Sequence, residues 1–439
     1  MLLRPGPDRY ADALQQSRAH QLIEQDDTAL IFIDLDILDN RLSHLTEAFP
    51  PSAFHAAAIK AHPMFSSLEH IAARGYGLEA ASIEEVALAS AAGVPAERIV
   101  FDSPVKTDRE ISWCAGHMPG MILNVNSLDE LDRIPAGSDL RVGIRVNPLV
   151  DAGSPEVFQV SGHHSKFGVP ITDREAVIRA CLSHPAVCGL HLHVGSEISR
   201  PEVQAMAIRN VYHLALEIDR RRAAAGVGKD LTFLDIGGGF PARYEAGEQG
   251  GLSEYVAAIL ELAPELFHRY QVITEFGRFI FAHCAWLWSQ IEYLTDPTDS
   301  LSGRAMLHAG ADLFVREIYM PGAPVHQITV LDEQGQPKSG PARPYDLAGP
   351  LCFGGDFLGK DMLVPALERG DQIVVGDIGA NSFALWSRHC SRRFPKVIAL
   401  SSEWPSPRIV RPRETLDDII RFWRGAPNTD LHSPFSPTL

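Results

Sequence analysis

The chain has 439 residues, 45% hydrophobic and 21% charged, with a formal net charge of -16 at pH 7. That length supplies a large core and more than one domain, and the acidic balance argues against nucleic acid or an anionic membrane as main partner. Six scattered cysteines (Cys114, Cys181, Cys188, Cys284, Cys352, Cys390) form no Cys-x-x-Cys pair and no zinc-type cluster, which fits a reducing compartment and no metal site. The N-terminus lacks a signal-peptide apolar run, and no apolar stretch is long enough to cross a bilayer, so a cytoplasmic protein is expected.

Residues 1–27 are polar, with helical pattern from Tyr10 to Gln25. Thr28–Asp36 reads as a first strand, and Phe54–Lys60 as a second that ends in a lysine. Further apolar runs follow at Gly77–Ala81, Ile99–Phe101, Met121–Val125, Leu140–Val146, Val187–Val194, Leu231–Ile236 and Gln271–Thr274, with amphipathic stretches such as Pro201–Ala224 and Ser253–Tyr270 between them. Such alternation signals a parallel sheet, and about eight units in this length favour a closed (β/α)8 barrel over a doubly wound sheet. Beyond residue 280 the helical period fades and short β-runs take over (Trp286–Tyr293, Val325–Leu331, Gln372–Val375, Lys396–Ala399), as in a mainly antiparallel domain. Asp332–Arg343 reads as a hairpin tip or surface loop. The expected division is a barrel over 28–280 and a β-domain over 281–425, against which residues 1–27 pack, followed by a polar tail over 426–439.

Lys60 stands where an open strand end delivers one ammonium group, the usual place of catalytic residues in such folds. Partial desolvation there would lower its pKa and make it a Schiff-base former. Ile236-Gly237-Gly238-Gly239 follows a strand directly. Three glycines let backbone N–H groups approach an anion, and without a Walker or Gly-x-Gly-x-x-Gly pattern one phosphate group fits better than a dinucleotide. His191 and His193 share one side of a strand. No third metal ligand accompanies them, so the one at the strand end could lie flat against a planar cofactor, with a core histidine the simpler reading for His191 especially. Glu275, at another strand end with Arg278 three residues on, suits a pyridine nitrogen partner, since a carboxylate there holds that nitrogen protonated. An ion pair between the two without any ligand is the alternative. Cys352 lies in the turn-rich Gly349–Asp356, where a small buried residue or a reactive thiol would both fit.

Together, in this order, these motifs resemble the alanine-racemase-like (fold type III) pyridoxal-phosphate enzymes, and within them the diaminopimelate/ornithine/arginine decarboxylase group, over residues 28 to 425. The resemblance implies a PLP-binding barrel, a C-terminal β-domain and a homodimer whose active sites form between subunits. It assigns Lys60 to covalent attachment of PLP, with Glu79 near it, His193 to the ring face and Glu275 to the pyridine nitrogen. It also assigns Ser196, Gly237, Gly238, Gly239 and Arg278 to the phosphate, and Cys352 to the proton donor. Asp356, in the same inter-subunit segment, and Phe353 are expected substrate contacts, as are Arg316 and Tyr319, which match the substrate-carboxylate region. Two departures stand out. The group's diaminopimelate enzymes have a glutamate directly after this cysteine, where Phe353 stands here, so diaminopimelate is not the expected substrate. A Gly-Ala-Tyr whose tyrosine contacts the cofactor is Gly379-Ala380-Asn381 in this chain, which leaves Asn381 a shorter reach.

The expected activity is decarboxylation of an amino acid or amino-acid conjugate to the amine and CO2. The alternatives are a racemase or epimerase on the same cofactor, and an inactive regulatory homologue. A basic cluster, Arg388 to Arg393, reads as a solvated loop or as a reader of a carboxylate-rich substrate, as in siderophore assembly.

Overall fold

The computed structural model describes residues 2–151, 153, 158–242, 251–320 and 326–425, and the tail over 426–439 lies outside them. They divide into two compact units: one holds the described residues of 42–242 and 251–279, the other those of 2–41 and 280–425.

The first unit is a closed barrel of eight parallel strands. They are Phe54–Ala58, Gly77–Ala80, Ile99–Phe101, Ile122–Val125, Arg141–Asn147, Val187–His191, Phe233–Asp235 and Gln271–Thr274, and each pairs with its successor. Ile273 pairs with Phe54 and closes the ring. Short apolar runs become buried strands because helices such as Phe65–Ala73, Ile83–Ala91 and Pro201–Ala225 alternate with them along the chain. Phe54, Val100, Ile122, Phe233 and Ile273 form a buried cluster. Two glycines make room for the Phe233 ring: a Cβ at Gly189 would lie 2.3 Å from it, and one at Gly143 would lie 2.9 Å away. A side chain at either position would force the ring out.

The second unit is a nine-stranded mixed sheet. Its centre is Ala29–Asp34, antiparallel to Ala285–Thr295 and parallel to Lys396–Leu400. This corrects the expected barrel boundary. The run is buried along its full length, as a strand covered on both faces should be, but burial does not say which sheet it joins. The barrel begins at Phe54 instead. The helix Pro7–Ala19 supplies Tyr10, Ala13 and Leu14 to the sheet's core, where Phe32 stacks on Trp286 with ring centres 5.6 Å apart. Asp332–Lys338 forms the expected turn, with the Asp332 N–H donating to the Gln336 carbonyl at 2.8 Å. Strands at Ala342–Ala348 and Phe357–Pro365 escaped the pattern because Pro344, Gly359 and Asp361 interrupt their apolar character.

Candidate active site

The strand bearing the lysine ends at Ala58, two residues earlier than expected, and Lys60 sits in a single 3-10 turn, Ile59–Ala61. Ile59 and Ala61 are buried, whereas the lysine side chain is half-exposed. Its Nζ donates to Oε2 of Glu79, which stands in the neighbouring strand and is fully buried. The expected fall in the lysine pKa does not occur in the cofactor-free chain. Burial pulls the ammonium down, but Glu79, Asp102 and Glu275 outweigh it and the pKa is raised. Lys60 is therefore a charged ammonium until its proton leaves. Burial, with Asp102 nearby, lifts Glu79 well above the carboxylate range against the pull of Lys60.

Around this pair lie Asp102 and Arg145, which the motif reading passed over, and His191, whose simpler reading is a core histidine. Asp102 is buried just beyond the strand Ile99–Phe101; Arg145 and His191 lie within two other strands. The His191 Nε2 is 3.5 Å from Glu275 Oε2 and 3.9 Å from Asp102 Oδ2, and Arg145 is 3.8 Å from Asp102. The ligand-type atoms of Asp102, His191 and Glu275 lie within 4.8 Å of one another. Lys60 and Arg145 act electrostatically on Asp102 and take it below the carboxylate range against burial, so protein cations already balance this cluster. A charged residue inside the apolar run Gly143–Val146 was the available signal for Arg145.

Glu275 rises to about 7, through burial first and Asp102 second. Asp235 rises well above its ordinary value, through burial and the Glu275 charge, and accepts hydrogen bonds from Asn124 Nδ2 at 3.1 Å and Gly237 N–H at 2.9 Å. Two buried carboxyls side by side cannot both ionise cheaply, and Asp235 keeps the proton more firmly. The Oε1 atom of Glu275 is buried with no hydrogen-bond partner among the described residues.

His193 follows the strand end, and its ring is held neutral, burial pushing its pKa well down. Its Nδ1 accepts from the Gly238 N–H at 2.9 Å, which places the ring proton on Nε2. Gly237 and Gly239 have φ of +65° and +102°, and a Cβ on Gly238 would meet the Glu275 carbonyl at 2.4 Å. The glycines are required by close backbone packing as well as by any anion. Arg278 donates to Ser196 Oγ at 3.3 Å and pairs with Glu197 at 2.8 Å. The alternative, an ion pair between Glu275 and Arg278, is not formed; each has a different partner.

PLP fits these residues. A pyridinium N–H matches the orphaned Glu275 Oε1, the His193 ring offers a flat neutral face, Ser196 and Arg278 suit a phosphate, and Lys60 supplies the amine.

In the sheet unit the expected residues behave differently. Cys352 is exposed on its turn. Asp356 is buried, and its carboxylate accepts N–H bonds from Ala311 at 2.6 Å and Leu351 at 2.7 Å. Gly310 and Gly349 lie so close that a Cβ on either would strike that carboxylate. This corrects its expected substrate contact: Asp356 braces the turn that presents Cys352. Arg388 is a second correction. Its two terminal nitrogens bind both oxygens of Glu414 at 3.0 and 2.8 Å, and its plane lies over Trp386 and Phe422. A guanidinium so committed has no fork left for a substrate carboxylate. Arg392 likewise donates to the His308 carbonyl and faces Asp312. Tyr319 ends the helix Val315–Tyr319, whose second residue is Arg316, and stacks on Phe353 with ring centres 4.9 Å apart and planes 17° from parallel. Asn381 takes a left-handed conformation (φ +60°), which its short polar side chain tolerates.

A closed parallel barrel whose strand ends gather Lys60, Glu79, His193 and Glu275 defines the class: a barrel enzyme whose residues fit pyridoxal phosphate. The comparisons agree. The chain belongs to the pyridoxal-dependent decarboxylase family, matching its pyridoxal binding domain over residues 35–282 and its C-terminal sheet domain over residues 211–379. It is 30% identical to diaminopimelate decarboxylase of Helicobacter pylori over 414 residues, covering 92% of this chain and 97% of the relative. The Pseudomonas aeruginosa diaminopimelate decarboxylase is 31% identical over 372 residues, 82% of this chain and 84% of that protein. Among solved structures, the Helicobacter pylori enzyme complexed with L-lysine superposes with a TM-score of 0.81 at 28% identity, covering 93% of this chain and 99% of that one. Lysine/ornithine decarboxylase of Vibrio vulnificus shares the fold, with a TM-score of 0.73 at 24% identity, over 88% of this chain and 99% of that one. The chain is thus a PLP-dependent amino-acid decarboxylase by family. Among the described residues, no helix is long and apolar enough to cross a membrane.

Proposed function

We propose that this enzyme decarboxylates an amino acid or amino-acid conjugate other than diaminopimelate, releasing the amine and CO2. The observation that carries the reading is the aromatic stack beside Cys352. The diaminopimelate enzymes have a glutamate next to this cysteine for the distal end of the substrate. Phe353 offers no charge there, and Tyr319 covers its face. A zwitterionic distal end would lose its ionic partner and have to shed water against two rings.

Bound PLP supplies an electron sink for the pair released when the Cα–carboxylate bond breaks. In this reading Lys60 holds the cofactor, and Glu79 accepts the Lys60 hydrogen bond and orients the amine. Glu275, bonded to the neutral Asp235, holds a proton on the pyridine nitrogen. His193 fixes the ring plane through its Gly238 bond. Ser196, Gly237, Gly238, Gly239 and Arg278 bind the phosphate, and Asn381 stands where the family's cofactor-contacting tyrosine does. Arg316 and Tyr319 orient the substrate, and the Cys352 thiol delivers the proton to Cα. The active form is a homodimer with active sites formed between subunits, as the resemblance implies.

The test is CO2 release by the pure protein over L- and D-amino acids, including diaminopimelate, lysine, ornithine, arginine and citrate-conjugated diamino acids. Turnover of one of these with diaminopimelate inert is expected; diaminopimelate as the best substrate would overturn the substrate reading. The conjugates stay in the panel although Glu414 removes Arg388 as their reader. Inversion at Cα without CO2 would favour the racemase instead.

A further inference from the structure

Arg278 is the cation assigned to the cofactor phosphate, yet it is paired with a carboxylate of its own chain. Its Nε lies 2.8 Å from Glu197 Oε1, with the two side chains only 5% and 18% exposed. The same Nε donates to Ser196 Oγ at 3.3 Å. Glu197 reaches this position through a left-handed backbone (φ +55°) that side chains rarely adopt. The next residue is anchored to the glycine run: the Ile198 N–H donates to the Gly239 carbonyl at 3.1 Å, and a Cβ on Gly239 would lie 2.4 Å from Ile198 Cδ1. The carboxylate is therefore built into a turn that touches both halves of the phosphate cradle.

We propose that Glu197 is an internal counter-anion of the phosphate site, holding Arg278 until the cofactor phosphate takes it over. The proposal rests on Arg278 facing that phosphate. A carboxylate and a phosphate sharing one guanidinium out of bulk water repel each other. Glu197 therefore lowers the affinity for PLP and makes the cofactor exchangeable, while Arg278 is never left as a lone buried cation.

The full-length cofactor-free protein is titrated with PLP and with pyridoxal, which keeps the ring and aldehyde but has no phosphate. Glu197→Gln is expected to bind PLP about 10-fold more tightly than wild type, a change of about 1.4 kcal/mol, with pyridoxal affinity unchanged. Equal or weaker PLP binding by the variant overturns the proposal, as does an equal gain for pyridoxal, which would signal general repair of the turn. Wild type binding PLP no better than pyridoxal would overturn the Arg278 assignment itself, a separate failure seen before any variant is compared. Should Glu197→Gln fail to fold, Glu197→Gly, which suits the left-handed backbone, is expected to show the same selective gain for PLP.

Discussion

In the barrel, Lys60, Glu79, Asp102, His191 and Glu275 come from separate strand ends and are tied mainly to one another. In the sheet unit, Asp356 and Arg388 are spent on local bonds, while Cys352 and Tyr319 stand exposed. The contrast comes from topology. A closed parallel barrel brings every strand's C-terminal end to one rim, so a polar residue just past an apolar run has few other places to go. Loops on a mixed sheet obey no such rule, and whether a polar side chain there is structural depends on a partner that can lie far along the chain.

Breaking the barrel cluster should have the largest effect. Lys60→Ala is expected to cut CO2 release on the order of 10,000-fold or more, since it removes both covalent attachment and a proton carrier, while thermal unfolding shows a folded protein. A variant with near-normal turnover would remove Lys60 from the chemistry. On the sheet side, Cys352→Ala is expected to keep PLP bound and to slow turnover about 100- to 10,000-fold. Wild-type turnover there would leave the proton donor elsewhere.

Acidity provides a third test, confined to the barrel. Glu275 stands at about 7 against an ordinary 4.5. Between those values the folded, cofactor-free chain holds a proton that the unfolded chain has lost. The stability contributed by neutral Glu275 is thus complete below about pH 4.5 and is lost as pH rises through 7. Melting temperatures across this window should fall more steeply with pH for wild type than for Glu275→Gln. Parallel curves would mean that Glu275 is not held neutral.

Arg388 tests the opposite kind of residue. Arg388→Ala should leave kcat/KM unchanged and cost about 1–3 kcal/mol of stability, because the half-buried Glu414 loses its bidentate partner and keeps Arg411 at 3.5 Å and the Phe394 N–H. The Glu414 carboxylate lies below its ordinary range: burial opposes ionisation, but hydrogen bonds from Arg388 and the Phe394 N–H outweigh it. This contribution is present at neutral pH and lost on acidification, the reverse of Glu275. A selective rise in KM for acidic substrates would instead restore Arg388 to the substrate.

The same contrast decides what could be read in the sequence. Seven of the eight barrel strands lie inside apolar runs that pattern alone marks, and Ile122–Val125, Val187–His191 and Phe233–Asp235 stop within a few residues of the expected limits. Ala29–Asp34 was visible as a strand but not as a member of the other sheet, because its partners begin at Ala285 and Lys396. The site's motif residues were legible because they end strands. Asp102 and Asp235 were not, being single carboxyls whose role appears only when Glu79 and Glu275 come alongside. Arg388 misled for the same reason, since Glu414 lies 26 positions away.

The smallest expected effect falls on the aromatic stack. Tyr319→Leu removes a ring–ring contact worth about 0.5–1.5 kcal/mol, and since Tyr319 is half-exposed, little of that should appear in global stability. If the stack only packs the turn, KM moves equally for all substrates. If Phe353 and Tyr319 read the distal end of the substrate, as proposed, the loss depends on what that end carries. Preference between the best substrate and one differing only at its distal end should then shift by about 3- to 10-fold, the range that one or so kcal/mol of differential contact allows. Phe353→Leu should shift the same preference, and the double variant should add little, because either single change already breaks the stack. Additive shifts would mean that the two rings act separately and that the pair is not the reader.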